Sequence, residues 1–214
     1  MHERRDFRSR PDRGRPLTQA YSTSRRSIRQ RTVLWAPLWN PRRIGQGLEH
    51  ILLSPQAADS MLLGFDEEDR PYRLSYTLEW DARWRLHTAR LAVTTTAGSR
   101  TLQLDADGDG HWCDASGQAL PTLAGCTDLD LWPTPMTNTV AIRRLALGLG
   151  ERREIRVVYI AAPALTVTVM CQAYTCLDER RYRYESLERG YQVELPVDAD
   201  GVLLDYPGVF RRLY

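Results

Sequence analysis

The residues best placed to do chemistry in this 214-residue chain are two carboxylates in Asp128-Leu129-Asp130-Leu131. In an extended segment that spacing puts both acids on one face, where a pair can hold a metal ion or share general acid and base work. Asp130 and Thr134 can equally stabilise a helix entrance, while Arg143 or Arg144 neutralises Asp128. A second acidic stretch, Asp105-Ala106-Asp107-Gly108-Asp109-Gly110, opens like a calcium loop. Its twelfth position, where a bidentate Glu belongs, is Ser116, and strand-like segments flank it, so a hairpin turn is the better reading. Cys113, Cys126, Cys171 and Cys176 form no C-x-x-C pair, and His2, His50, His87 and His111 are scattered. No metal site and no cofactor are expected. Nucleophile elbow, Walker A, Rossmann and H-E-x-x-H motifs are all absent. An enzyme using Asp128, Asp130, Glu79 or His111 would need these groups to converge in one cleft.

The aromatic side chains point to binding. Trp80, Trp84, Trp112, Tyr182, Tyr184 and Tyr206 lie among strand positions that alternate with charged groups. Rings offer faces to the C–H side of a sugar or to acyl chains, and nearby Arg, Asp and Asn side chains can bond hydroxyls and headgroups. The competing reading is that Trp and Tyr, which favour strands, simply fill the core.

Every basic residue other than histidine is Arg, and ten of the 29 fall in residues 1–31 against only Glu3, Asp6 and Asp12. That stretch is too poor in large apolar side chains to offset its ordering entropy and reads as a disordered extension outside a single domain spanning residues 32–214. Phe7 and Tyr21 are too few to interleave with Arg as base-stacking platforms, so nucleic acid is not an expected partner. Ser24-Arg25-Arg26-Ser27-Ile28-Arg29-Gln30 resembles a twin-arginine export signal, but Pro37, Asn40, Pro41, Arg42 and Arg43 interrupt the apolar run that must follow. The expected location is the cytoplasm, with free thiols. No window is apolar for long enough to make a transmembrane segment.

Positioning these residues falls mostly to strands. Tyr72, Leu74, Tyr76, Leu78 and Trp80 alternate with polar residues, as do Leu165, Val167, Val169, Cys171 and Ala173, which is the signature of half-buried strands. Further strands are expected over 48–53, 61–66, 86–95, 101–105, 111–114, 154–160, 182–186, 191–195 and 202–205. Asp107-Gly108, Ser116-Gly117, Gly148-Leu149-Gly150, Arg189-Gly190 and Asp200-Gly201 supply the hairpin turns between them. One helix, about 134–147, is signalled by Thr134, Pro135 and Gly148. Its Met136, Val140, Ala141, Ile142 and Leu145 spread over more than one face, as a helix surrounded by protein requires. So many strands cannot lie flat without leaving a face uncovered, so the predicted fold is mainly β, a mostly antiparallel sheet curled around one central helix.

Several short blocks occur in order between Val33 and Leu213: Leu78-Glu79-Trp80-Asp81 with Trp84, Gly110-His111-Trp112, Gly125-Cys126-Thr127-Asp128-Leu129-Asp130-Leu131, Thr134-Pro135 with Thr137-Asn138-Thr139, Ile142-Arg143-Arg144-Leu145, Tyr182-Arg183-Tyr184-Glu185, and Leu204-Asp205-Tyr206-Pro207-Gly208 with Phe210-Arg211-Arg212. Together they resemble a bacterial glycolipid-binding family. The resemblance implies a spiral β-roll around a single helix, a homodimer, and a distant likeness to periplasmic lipoprotein carriers. Met136 stands where that family usually has Phe, and Ala141 where it often has Pro, which bears on the shape of a pocket beside the helix. The resulting expectation is a non-catalytic protein that holds a glycolipid or related amphiphile. Trp80, Trp84, Trp112, Tyr182, Tyr184 and Tyr206 would wall the site, with Asp128, Asn138, Arg143 and Arg144 as headgroup partners. The alternatives are the enzyme described above and a structural dimer with no ligand.

Overall fold

Alternation of apolar and polar side chains drives a chain into strands that bury one face, and a wall of such strands must find something to cover that face. The computed structural model describes residues 28–38 and 46–214. The expected extension therefore lies largely outside the described residues. Ile28 is packed in the core, and the first strand opens at Arg31, so residues ahead of 32 take part in the described fold.

The strands are β1 (Arg31–Pro37), β2 (Leu48–Leu53), β3 (Ala57–Phe65), β4 (Pro71–Trp80), β5 (Leu86–Thr95), β6 (Gly98–Ala106), β7 (Trp112–Asp114), β8 (Asp128–Trp132), β9 (Arg152–Ala161), β10 (Thr166–Asp178), β11 (Arg181–Ser186), β12 (Tyr191–Pro196), β13 (Asp205–Tyr206) and β14 (Phe210–Arg212), with helix α1 (Met136–Leu145) between β8 and β9. One antiparallel sheet runs β13-β14-β1-β2-β3-β4-β5-β6-β7, and a second runs β12-β11-β10-β9-β8. The two adjoin where the Leu204 amide donates to the Pro196 carbonyl at 2.9 Å and Val197 bridges Leu203. The wall thus spirals on from one sheet to the next without closing.

Strand β4 behaves as its alternation predicts, burying Tyr72, Leu74, Tyr76, Leu78 and Trp80 while Arg73 stays exposed. Each fully buried leucine is worth roughly 1.5–3 kcal/mol. Strand β10 departs from expectation. Its mixed face, not only its aliphatic one, turns inward: Gln172 and Tyr174 are buried and bond to Asp130 and Asn138. The strand expected over 202–205 shrinks to Asp205–Tyr206, because the Leu203 amide donates to the Thr139 hydroxyl of the helix and not to a neighbouring strand. Strand β8 was legible only as an extended segment. It pairs in parallel with β9, and α1 makes the crossover.

Helix α1 is shorter than predicted. Pro135 precedes its first residue, and the Thr134 hydroxyl accepts the Met136 amide at 3.1 Å. At the other end Ala146 turns left-handed at φ 45° and stops the helix before Gly148 is reached. Residues Met136 to Ile142 are all buried. Both sheets hold the helix. Thr134 bonds Glu49 of β2, Asn138 bonds Tyr174 of β10, and Arg144 grips Asp128 of β8 through two contacts of 2.6 Å.

Glu49 is a fully buried carboxyl that the sequence pattern hides, because β2 turns Leu48, His50 and Leu52 outward and Glu49, Ile51 and Leu53 inward. The hydroxyls of Tyr76, Thr134 and Ser60 donate to it at 2.6, 2.9 and 3.0 Å. Burial still outweighs these donors and pushes Glu49 from 4.5 up to about 7. The folded protein thus holds this proton more tightly than the unfolded chain. Its contribution to stability is fully present below about pH 4.5 and is lost as pH rises through about 7.

The loss is of order 3 kcal/mol. Denaturant titration at about pH 5 and about pH 8 is expected to show wild-type stability falling by up to that amount, with the fall largely abolished in Glu49→Gln. Separately, Arg144→Ala leaves the Asp128 carboxylate, whose side chain is 2% exposed, buried without its cation and with only the Thr127 hydroxyl donating to it. An expected loss of about 3–5 kcal/mol can be read from the same titration at neutral pH.

Candidate functional site

The polar, inward face of β10 and the N-terminal half of α1 do not pack flush, and a cavity of about 320 Å³ lies between them. Strand β8 contributes Asp130, Leu131 and Trp132, and β9 contributes Tyr159. Met170 of β10, Tyr184 and Ser186 of β11, Tyr206 of β13 and Phe210 of β14 complete the walls. Thr134 and Asn138 close the helix side, and Arg189 and Tyr191 come from the turn between β11 and β12 and the start of β12. Strand alternation accounts for the repeats: Tyr184 and Ser186 are two residues apart on β11, as are Asp130 and Trp132 on β8, so each pair shares a face.

The rings are fixed by one another. Tyr184 meets Tyr174 edge-on with centroids 5.4 Å apart and Tyr206 at 6.2 Å, and Trp132 meets Phe210 at 6.1 Å. Burial pushes the Tyr184 and Tyr206 phenols well above their ordinary value, so both stay neutral hydroxyls. The exposed Arg189 lays its guanidinium over the Tyr159 ring, 5.2 Å from its centroid.

Asp130 is the acid of the site. Gln172 Nε2 donates to Oδ2 at 2.5 Å and Thr137 Oγ1 to Oδ1 at 3.1 Å. Protein encloses the carboxyl, which raises its pKa above the usual carboxylate range, while these two donors and the Arg189 charge pull the other way. The residue as a whole is half-buried and lines the cavity. Ser186 is 3% exposed, and its Oγ lies against the Tyr184 phenol, whose pKa it lowers against the effect of burial.

Of the residues singled out from sequence, Asn138, Tyr184 and Tyr206 come together here, joined by Asp130. The others serve the frame around it. Trp80 and Trp84 stack at 4.9 Å, with the Arg143 guanidinium 5.0 Å from the Trp84 ring and its Nη1 donating to the Asp200 carbonyl. Trp112 is buried and donates to the Cys126 carbonyl, and Tyr182 lies in the core. Asp128 is taken up by Arg144. Glu79 pairs with Arg90 at the surface, and His111 sits on Asp107 with its side chain 80% exposed, so only Asp130 of the four groups in the enzyme reading reaches the cavity.

Asp107 spends its carboxylate on its own hairpin, bonded to the Asp109 amide and to the side chain and amide of His111, and those bonds hold it down to about 2. Among the described residues no group of three or more His, Cys, Asp or Glu could hold a metal ion, and no helix is long and apolar enough to cross a membrane. Sequence reasoning missed Trp132, Tyr159, Ser186, Arg189, Tyr191 and Phe210 as site residues. The available signal was the mixed face of β10, which could have marked the neighbouring faces of β9 and β11.

No curated protein matches the chain. A crystal structure of a DUF1089 family protein from Pseudomonas aeruginosa is 49% identical and superposes with a TM-score of 0.77, covering 78% of this chain and 92% of that one. It shares the mainly β, single-helix architecture. The family model described as "Putative glycolipid-binding" matches residues 36–212. With most of its length matched, and with the expected spiral of strands about one buried helix in place, the chain belongs to the family so described.

Proposed function

We propose that this chain is a non-catalytic binding protein that holds a glycolipid or related amphiphile in the cavity between the curved sheet and the N-terminal half of α1. The observation that carries the reading is the cavity's make-up. It is walled by Tyr184, Tyr206, Trp132 and Phe210 and carries a few convergent polar groups in Asp130, Asn138, Ser186 and Arg189. Its volume of about 320 Å³ falls at the lower end for small-molecule sites, so it takes part of an amphiphile and not a whole two-chain lipid. The description of the family supports the same class of guest.

Trp80, Trp84, Trp112, Tyr182, Asp128, Arg143 and Arg144 act in this reading by fixing the wall and helix that shape the cavity. A cytoplasmic setting accords with Cys113, Cys126, Cys171 and Cys176, all free thiols.

Native mass spectrometry of the purified protein, followed by solvent extraction, is expected to find a bound amphiphile. Met170→Trp, which fills the cavity from β10, is expected to remove it while leaving the thermal unfolding transition in place. A wild-type protein that carries no lipid and shows no saturable lipid binding would sink the proposal.

The same reading includes a homodimer. Leu48 and Leu52 of β2 are 37% and 47% exposed, and Met61 and Leu63 of β3 are 40% and 51% exposed. Leu48 lies opposite Leu63 in register, so these side chains form one outward apolar patch. Light scattering is expected to give a dimer for wild type and a monomer for the Leu52→Glu, Leu63→Glu double variant. A monomeric wild type would exclude this assembly.

A further inference from the structure

Buried side chains from β2, β3, β4 and the entrance of α1 meet around Glu49. Its Oε1 lies 2.6 Å from the Tyr76 hydroxyl, which lies 3.1 Å from Thr134 Oγ1, and Thr134 Oγ1 lies 2.9 Å from Glu49 Oε2. These three contacts close a ring, and each edge needs one proton to be a hydrogen bond. Tyr76 and Thr134 bring one proton each. The Ser60 hydroxyl uses its own on a separate bond to Oε1, and the Met136 amide donates to Thr134 from outside the ring. The third proton can come only from the Glu49 carboxyl. With it, donation runs from Glu49 to Thr134, from Thr134 to Tyr76 and from Tyr76 back to Glu49, and every edge is bonded. Without it, both hydroxyls donate to the carboxylate and face each other at 3.1 Å with no proton between them.

No charge stands by to replace that proton. Tyr76 and Tyr72 face Glu49 from β4, Ser60 from β3 and Thr134 from the helix entrance, and Trp35 lies opposite it in register on β1. Burial pushes both phenols up, so they stay neutral. Among the described residues no cation pairs with Glu49, and Arg212, opposite Trp35 on β14, is bound to Asp198.

The same ring supports the cavity. Thr134 lines it, and so does Asn138 in the first turn of the helix that Thr134 introduces. An ionised Glu49 loses one edge of the ring and calls for water, which the cavity beyond Thr134 can supply. A guest whose apolar part fills that space keeps water out. Charge on Glu49 and a guest beside Thr134 therefore compete.

Resting on the reading of the cavity as the binding site, we infer that its occupancy is linked to the proton on Glu49, which the occupied protein holds more tightly than the empty one. The guest is taken up with the acid form and let go as Glu49 ionises. Glu49 of the empty protein titrates at about 7, so binding is tightest below that pH and weakens above it.

Calorimetric titration of the full chain with octyl glucopyranoside, below its micellar concentration, reads the linkage. Between about pH 6 and about pH 8 binding is expected to weaken by about fivefold, the change for one proton held about tenfold more tightly in the occupied state. At about pH 7, titrations in buffers of different ionisation heat are expected to show net proton uptake on binding. Glu49→Gln keeps the ring closed at every pH, because its amide donates to Thr134 and accepts from Tyr76. It is expected to bind at about pH 8 as tightly as wild type does at about pH 6, without proton uptake. If Glu49→Gln fails to fold, Asp130→Asn decides, since Asp130 is the acid on the cavity wall. Proton uptake retained in that variant supports Glu49, and uptake lost there overturns the inference. Saturable binding with no pH dependence, or a dependence that survives Glu49→Gln, overturns the linkage and leaves the cavity as a binding site. No saturable binding at either pH overturns both.

Discussion

The structure depends on the burial of a helix end that carries polar side chains. Thr134, Thr137, Asn138 and Thr139 are all buried at or just before the first turns of α1, where free backbone amides also need acceptors. Each side chain must therefore find a partner in the surrounding wall. Thr134 reaches Glu49, Thr137 reaches Asp130, Asn138 reaches Tyr174, and Thr139 takes the Leu203 amide. These bonds join elements distant in sequence, and they set the helix at one height and rotation inside the spiral. The apolar core supplies most of the stabilisation, but a helix held by grease alone could slide.

The cavity follows from the same constraint. A strand that presents Gln172 to Asp130 of β8 and Tyr174 to Asn138 of the helix cannot also present an unbroken aliphatic surface there, and the cavity lies beside Asp130. The C-terminal half of the helix shows the opposite arrangement. Arg143 lies on the Trp84 ring and Arg144 on Asp128. The cavity and the Arg-held frame thus lie at opposite ends of one short rod.

Much of the fold was legible in the sequence because alternation and turn residues are local signals. Strands 48–53 and 86–95 fall where the pattern put them, and Gly108, Gly117, Gly150, Gly190 and Gly201 all adopt the positive φ that their turns need. The parallel pairing of β8 with β9 was not legible, since partner choice is a tertiary matter. Glu49 was hidden because a carboxylate between Leu48 and His50 reads as the solvent face, and only the hydroxyls of Tyr76, Thr134 and Ser60, brought from elsewhere, make its burial tolerable. Asn138, Tyr184 and Tyr206, singled out by their type and place, do line the cavity. The Trp80 and Trp84 pair could not be told from a ligand wall, because an aromatic that packs on Arg143 carries the same sequence signature as one that packs on a guest. Ser186 and Arg189 give no local hint of lining a cavity and come to it only through the strands that surround them.

The most direct measurement is a crystal structure of the full chain grown with octyl glucopyranoside. Density for the glucose ring between Asp130 and Tyr206, with the helix unmoved, is the expected result. A detergent molecule found only on the outer leucines of β2 and β3, or side chains filling the space beside Asn138, would contradict an interior binding site.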